Sequence, residues 1–269
     1  LMGLLRMAGI PFVGCDMQAS VVAMDKVLAK QVAEANKILV PKYHYLYGKD
    51  FAEKSKTILD GLEKSLKYPL FVKPTHLGSS IGITRVTNRH ELQNAIEVAA
   101  YYDDKVLVEE GVNNLIEVTV PIIGNEVLEP ALVERPLVAD GETFDFDTKY
   151  MSGGKKSGGS KQGAQGYSEI PAKLPKKLYD EAIETAQNIY KAAECEGIAR
   201  IDLLIDEKTG QVYVNEINPL PGSLYAHNWR AAGTSGVDLV TKLVELAEER
   251  FSKQQKLQQT FSTNFLKQF

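Results

Sequence analysis

The chain has 269 residues, 44% of them hydrophobic and 25% charged, with a formal net charge of −4. That profile allows a sizeable core in one large or two smaller domains and excludes a general nucleic-acid binder, because the basic residues are scattered rather than blocked. No apolar run approaches the roughly 20 residues of a membrane span, no signal peptide is visible, and Cys15 and Cys195 lack metal-type spacing, as reduced, partly buried thiols of a cytoplasmic protein would.

The opening LMGLLRMAGIPF reads as the middle of a helix followed by a strand, which predicts that an N-terminal part precedes Leu1. Residues 24–38 place Met24, Val27, Leu28, Val32 and Ala35 on one side of a helix. VPKYHYLY (40–47) alternates as a strand does, 51–67 reads as a helix closed by Pro69, and PLFVKP (69–74) is a short buried strand. HLGSSIGI follows as a Gly/Ser loop entering another strand. A helix over 88–100 opens on Asn88 as its cap, with Glu91 three residues on. Strands recur at 105–110, 115–123 and 126–135. Residues 151–168, MSGGKKSGGSKQGAQGYS, cannot build a core and fit a flexible linker or a mobile active-site lid. A helix over 175–194 starts with Pro175 in its first turn and buries Leu178, Ala182, Ala186, Ile189 and Ala193; 236–251 is similar. The polar end, QQKLQQTFSTNFLKQF, predicts fraying or loose docking. This irregular mixture of strands and helices favours α+β over a doubly wound sheet.

The chemistry concentrates in ARIDLLIDEKTGQVYVNEIN, residues 199–218. Two alternating runs flank Lys208-Thr209-Gly210, which suits a three-residue hairpin loop with Glu207 facing Gln211. In that register Asp202 faces Glu216 and Arg200 faces Asn218, all on one side of the sheet. Opposed carboxylates repel unless a cation lies between them. All-oxygen donors, two acids and an amide, suit Mg²⁺, which also takes water and nucleotide phosphates. The alternative is a solvated face with a cross-strand ion pair. Phosphate binding has a second candidate in LFVKPTHLGSSIG, where Lys73 ends a strand and small residues open the backbone to an anion. It is no Walker loop, since no GxxxxGK[ST] occurs in the chain. In VLVEEGV, Glu109 and Glu110 end an apolar strand at an edge fit for adenine and ribose; each, like Glu117, taken alone reads as a surface or hinge charge.

These blocks together resemble the ATP-grasp superfamily, and closely the D-alanine–D-alanine ligases: GIPFVG, AMDK, LFVKPTHLGSSIG, VLVEE with IEVTV, FDFDTKY, ARIDLL and NEIN-x-x-PG occur in family order up to about residue 250. The resemblance implies an α+β ATP-grasp fold of two α+β subdomains with the nucleotide between them. Residues 1–20 would link to a missing N-terminal domain, 21–112 form the central subdomain, 113–252 the C-terminal subdomain with the Gly-rich lid 151–168, and 253–269 a polar tail. It implies that ATP phosphorylates one D-alanine and that the amine of a second attacks the acyl phosphate, in peptidoglycan synthesis. Lys26 and Lys73 would hold the ATP phosphates. Glu109 and Glu117 would meet adenine and ribose, with Glu110, Gly111 and Val112 lining that edge, and Lys149 beside Tyr150 would reach the γ-phosphate. Asp202, Glu216 and Asn218 would hold two Mg²⁺ ions, with Mn²⁺ as an alternative. Arg200 and the Gly222 N–H would form the oxyanion site, and Ser79 would position substrate. The implied partners are D-alanine and ATP, with a homodimer in the full-length protein and neither nucleic acid nor membrane. One departure concerns the acceptor. Where the family usually carries a Ser-Leu pair for the second substrate's carboxylate, ungapped counting gives His227-Asn228, and a gap brings in Ser223-Leu224. A D-hydroxy acid or another amino acid as acceptor, and a non-catalytic Mg-ATP-binding module, therefore stand as alternatives.

Overall fold

The computed structural model describes residues 1–137 and 168–257, so Lys149, Tyr150, nearly all of the Gly-rich segment and the tail from 258 lie outside the described residues. In chain order come helices α1 (Met2–Met7), α2 (Met17–Met24) and α3 (Lys26–Ala35), then β1 (Tyr43–Tyr47), α4 (Gly48–Ser65), β2 (Leu70–Pro74), β3 (Thr84–Val86), α5 (Arg89–Tyr102) and β4 (Lys105–Glu110). They are followed by β5 (Leu115–Gly124), β6 (Glu129–Pro130), β7 (Arg135–Pro136), β8 (Ser168–Glu169), α6 (Lys176–Ala192), β9 (Gly197–Asp206) and β10 (Gln211–Asn218). A short 3₁₀ turn at Gly222–Tyr225 leads into α7 (Ala226–Ala231) and α8 (Gly236–Gln255).

Two four-stranded antiparallel sheets, in the orders β1-β4-β2-β3 and β10-β9-β5-β6, and a two-stranded pair of β7 with β8 carry these strands. On the first, Leu59 and Leu62 of α4 and Leu92 and Ile96 of α5 close over Leu70, Val72, Val106 and Val108. On the second, α6 lays its stripe of Leu178, Ala182, Ala186 and Ile189 over Val118, Val120, Ile201 and Leu203. A smaller cluster joins Trp229, Leu239 and Leu243 to Ile123 and Ile198. The stripe expected for the 175–194 helix is therefore the buried one, and both cysteines are buried free thiols in that second core. Asn88 caps α5 through the Glu91 N–H (3.0 Å), while the Glu91 carboxylate reaches back one residue further, to the Thr87 N–H (2.7 Å).

Four expectations need correction. The segment after α1 adopts no strand. The run expected as one strand over 126–135 yields only the two-residue β6 and the start of β7, with an isolated bridge from Glu134, just before β7, to Thr119 of β5. Pro130 offers no N–H to a ladder, which is why β6 ends there. The 24–38 helix begins only at Lys26, with Asp25 as its cap, and buries Lys26, Val27, Ala29, Lys30 and Ala33 while Met24 is exposed. Small alanines admit the helix against β10, and two lysines turn inward because acidic and carbonyl partners await them. Ala19, Ala23, Ala29 and Ala33 belong to the second core although α2 and α3 precede the first sheet.

The fourth correction concerns the hairpin. Gln211 faces Asp206 rather than Glu207, so the turn has four residues, and the register is one residue off the expected one through Val214 opposite Leu203. A β-bulge between Val214 and Glu216 restores it, so that Glu216 faces Asp202 and Asn218 faces Arg200 as expected. The bulge also leaves Asn215 and Glu216 both on the half-buried polar side.

Gly124 ends β5 with φ +133°, and a Cβ there would stand 2.0 Å from the Val127 carbonyl oxygen. Gly124→Ala is expected to destabilise the protein by about 2–3 kcal/mol, read as a lowered urea midpoint; an unchanged midpoint would mean that the turn relaxes freely.

Candidate active site

The polar face of the β9–β10 hairpin meets cationic side chains from α3 and β2. Arg200 grips Asp202 with two hydrogen bonds, from Nε (2.8 Å) and from an Nη (2.7 Å). Thr119 on the neighbouring strand donates to the same carboxylate (2.9 Å), and so does the Asn218 amide (3.0 Å). Burial works against the Arg200 charge, but Asp202 more than reverses that and raises its pKa further. Glu216 lies 3.8 Å from the Lys26 ammonium. Lys26 also donates to the Leu77 carbonyl (2.5 Å), which ties α3 to the loop after β2. In that loop Ser79 and Ser80 both adopt left-handed backbone, with φ 55° and 59°.

Lys73 sits at the centre of the arrangement. Its Nζ lies 2.5 Å from Glu109 and donates to the Asn215 side chain on the bulge (3.1 Å). Lys30, on the same face of α3 as Lys26, pairs with the other Glu109 oxygen at 2.7 Å. Burial alone would raise the Glu109 pKa; the two ammonium groups outweigh it and bring it down to about 2. Burial in turn lowers the Lys30 pKa against the pull of Glu109. The placement of Glu109 differs from the edge position expected of it: it is 2% exposed and both its oxygens are taken by lysines. Glu110 accepts from the Lys67 N–H (3.0 Å), and with Gly111 and Val112 it forms the crossing from β4 toward β5. Glu117 is half-buried on β5, two residues before Thr119.

Beyond β10 the chain takes a sharp left-handed course. Gly222 is exposed, with open space where a Cβ would stand, and Ser223, Leu224 and Tyr225 all have φ between 51° and 53°. Three consecutive non-glycine residues there cost about 1–2 kcal/mol each, so something must hold them. Glu134, 4% exposed, is that anchor: His227 Nε2 lies 2.9 Å from it and the Asn228 amide donates to it at 3.1 Å. Asn228 also bonds both backbone groups of Leu132 (3.2 and 3.0 Å). The anchored turn sets the Tyr225 ring between Arg200 (5.2 Å) and His227 (4.4 Å). Asn228→Ala strands the Leu132 N–H and carbonyl and removes one of the donors to Glu134, which keeps His227, so it is expected to cost about 2–3 kcal/mol in chemical unfolding. A loss under about 0.5 kcal/mol would assign the anchor to His227 alone.

The structure thus brings Lys26, Lys73, Arg200, Asp202, Glu216 and Asn218 to one face. It adds Lys30, Thr119, Glu134, Asn215 and Tyr225, which the sequence reading did not single out. Lys30 was detectable as the residue one helical turn after Lys26; the others depend on long-range pairing. Asp202, Glu216 and Asn218 form a set of hard oxygen donors on adjacent strands, a chemistry that fits Mg²⁺. A cation there competes with Arg200 for Asp202 and with Lys26 for Glu216.

Two antiparallel α+β units that bring lysines of α3 and β2 to an acidic hairpin define the ATP-grasp class of fold. The family model of the D-ala D-ala ligase C-terminus matches residues 32–245. D-alanine–D-alanine ligases of Acetivibrio thermocellus and Chloroherpeton thalassium are 36% and 37% identical over 256 residues, covering 94% and 93% of this chain and 65% and 66% of their own lengths. The chain thus spans about two thirds of the curated relatives it matches. Among solved structures, the VanG D-Ala:D-Ser ligase of Enterococcus faecalis superposes with a TM-score of 0.76 at 33% identity, over 91% of this chain and 68% of that one. The D-alanine-D-alanine ligase of Coxiella burnetii gives 0.76 at 28%, over 95% and 65%. The chain belongs to the D-alanine–D-alanine ligase family, of which it carries the C-terminal domain.

Proposed function

We propose that this chain is the nucleotide-binding and ligating part of an ATP-dependent carboxylate–amine ligase that joins two D-alanines. The observation that carries this reading is the convergence of Lys26, Lys73 and Arg200 with Asp202, Glu216 and Asn218 on one face. Phosphoryl transfer depends on positioning and on charge neutralisation, which these groups are equipped to provide. Lys26 and Lys73 hold the ATP phosphates. Glu110, Gly111, Val112 and Glu117 line the edge for the base and ribose. Asp202, Glu216 and Asn218 hold Mg²⁺, as two ions, which when bound offsets phosphate charge. Arg200 and the exposed Gly222 N–H face the oxyanion that develops when the acceptor amine attacks, and Ser79 orients the substrate beside the phosphate loop. Lys149 and Tyr150 join the site by sequence motif. The nucleotide lies between subdomains 21–112 and 113–252, with 1–20 linking to a preceding domain that contributes to a homodimer, in the cytoplasm.

Phosphate release from Mg-ATP, with and without D-alanine, tests the reading on this chain and on a version extended upstream of Leu1. Stimulation by D-alanine in the extended protein is the expected result. ATP binding without stimulation in either protein would replace this reading by a ligase with another acceptor or by a non-catalytic nucleotide module. A second reading, another acceptor, is favoured by the Glu134-anchored His227 and Tyr225 beside Arg200; an acceptor screen in which only D-alanine is consumed would dispose of it.

A further inference from the structure

Lys73 is held by two groups of different kinds. Glu109 is a full negative charge, but Lys30 already balances it, so the buried triad of Lys30, Glu109 and Lys73 keeps one net positive charge. The second holder is the neutral side-chain oxygen of Asn215, 3.1 Å from Nζ, reached from the other sheet. A carboxamide fixes the direction of an ammonium group without cancelling its charge. Asn215 reaches Lys73 only because of the bulge between Val214 and Glu216. Strict alternation would turn Asn215 away from the face that Glu216 occupies. With the bulge, two consecutive residues meet two lysines: Asn215 meets Lys73, and Glu216 lies 3.8 Å from Lys26.

We propose that Asn215 is a positioning residue for nucleotide binding: through the bulge it aims the uncancelled charge of Lys73 at the phosphate chain of ATP and fastens that lysine to the strand carrying Glu216 and Asn218. This rests on the nucleotide reading above. The amide at this position is selected for neutrality, so an acid of the same size does more harm than truncation.

Calorimetry on the whole chain tests this with Asn215→Ala and Asn215→Asp, each titrated with Mg-ATP and with adenosine, which has no phosphates. Asn215→Ala is expected to weaken Mg-ATP about fivefold, the value of one ordinary hydrogen bond. Asn215→Asp is expected to weaken it at least about twentyfold, because a new carboxylate neutralises Lys73. Adenosine affinity stays unchanged in both. In a cycle with Lys73→Met, the Asn215→Ala effect vanishes once the lysine is gone. Equal losses for adenosine and Mg-ATP would make Asn215 a merely structural residue and overturn the proposal, and so would wild-type Mg-ATP affinity in Asn215→Asp. If the unsubstituted chain binds adenosine and Mg-ATP equally, the phosphate role of Lys73 falls, and this role for Asn215 with it.

Discussion

Glu109→Gln is expected to lower the unfolding free energy by about 3–5 kcal/mol, because it leaves the Lys30 ammonium uncompensated in the interior. Lys30 and Glu109 are each 2% exposed and lie 2.7 Å apart, so water cannot take over the lost charge. Lys73, 8% exposed, retains Asn215, which limits its share of the damage. Denaturant unfolding monitored by circular dichroism reads the loss, and a midpoint within about 0.5 kcal/mol of the original would show that Lys30 sheds its proton at no cost. The same triad sets an acid limb. The folded Glu109 pKa lies at about 2, below its ordinary 4.5. A depressed carboxyl contributes stability that is fully present above the unfolded pKa and is lost as pH falls through the folded one. Stability should therefore decline between about pH 4.5 and pH 2, and the decline should be shallower in Glu109→Gln. The substitution should act on Mg-ATP affinity in the opposite sense from truncating Lys73, since it removes an anion beside the phosphate site.

Glu216→Gln separates chemistry from stability. Glu216 is half-buried and its ion pair with Lys26 is long, at 3.8 Å, so its loss should change unfolding by less than about 1 kcal/mol. As the Mg²⁺ ligand proposed above, the same carboxylate would matter far more. Removing one group that stabilises transferred charge typically costs about 10²–10³ in rate. D-alanine-dependent phosphate release in the extended protein is expected to fall by that factor, while adenosine binding is retained. A rate within a factor of about three of the original would remove Glu216 from the metal set and leave it as a surface partner of Lys26.

What the sequence by itself determined is the local part of this molecule. The period-two alternation of ARIDLLID and VYVNEIN put Arg200, Asp202, Glu216 and Asn218 on one face, because successive side chains of a strand point to opposite sides. The apolar stripe of α6 and the Asn88 cap followed from helical spacing and from the orphan N–H groups of a first turn. Tertiary structure alone decided how distant stretches met. The expected three-residue turn is a four-residue one, and the predicted facing pairs survive only because the bulge at Asn215 returns the lost residue. No local pattern announces a bulge whose partners lie far off in the chain: the Val214 N–H donates to the Leu39 carbonyl, and Asn215 meets Lys73, 142 positions away. Lys26 and Lys30 lie outside the apolar stripe expected of their helix and are buried, because Glu109 and Glu216 come from other strands to receive them. Glu134 lies in a stretch that reads as a strand, yet it anchors a left-handed turn through His227 and Asn228, more than ninety positions on. Alternation and capping are settled within a few residues, where sterics and backbone hydrogen bonds dominate. The burial of charge is settled only where a counter-charge arrives through space, since no isolated segment can offset the cost of taking an ion out of water.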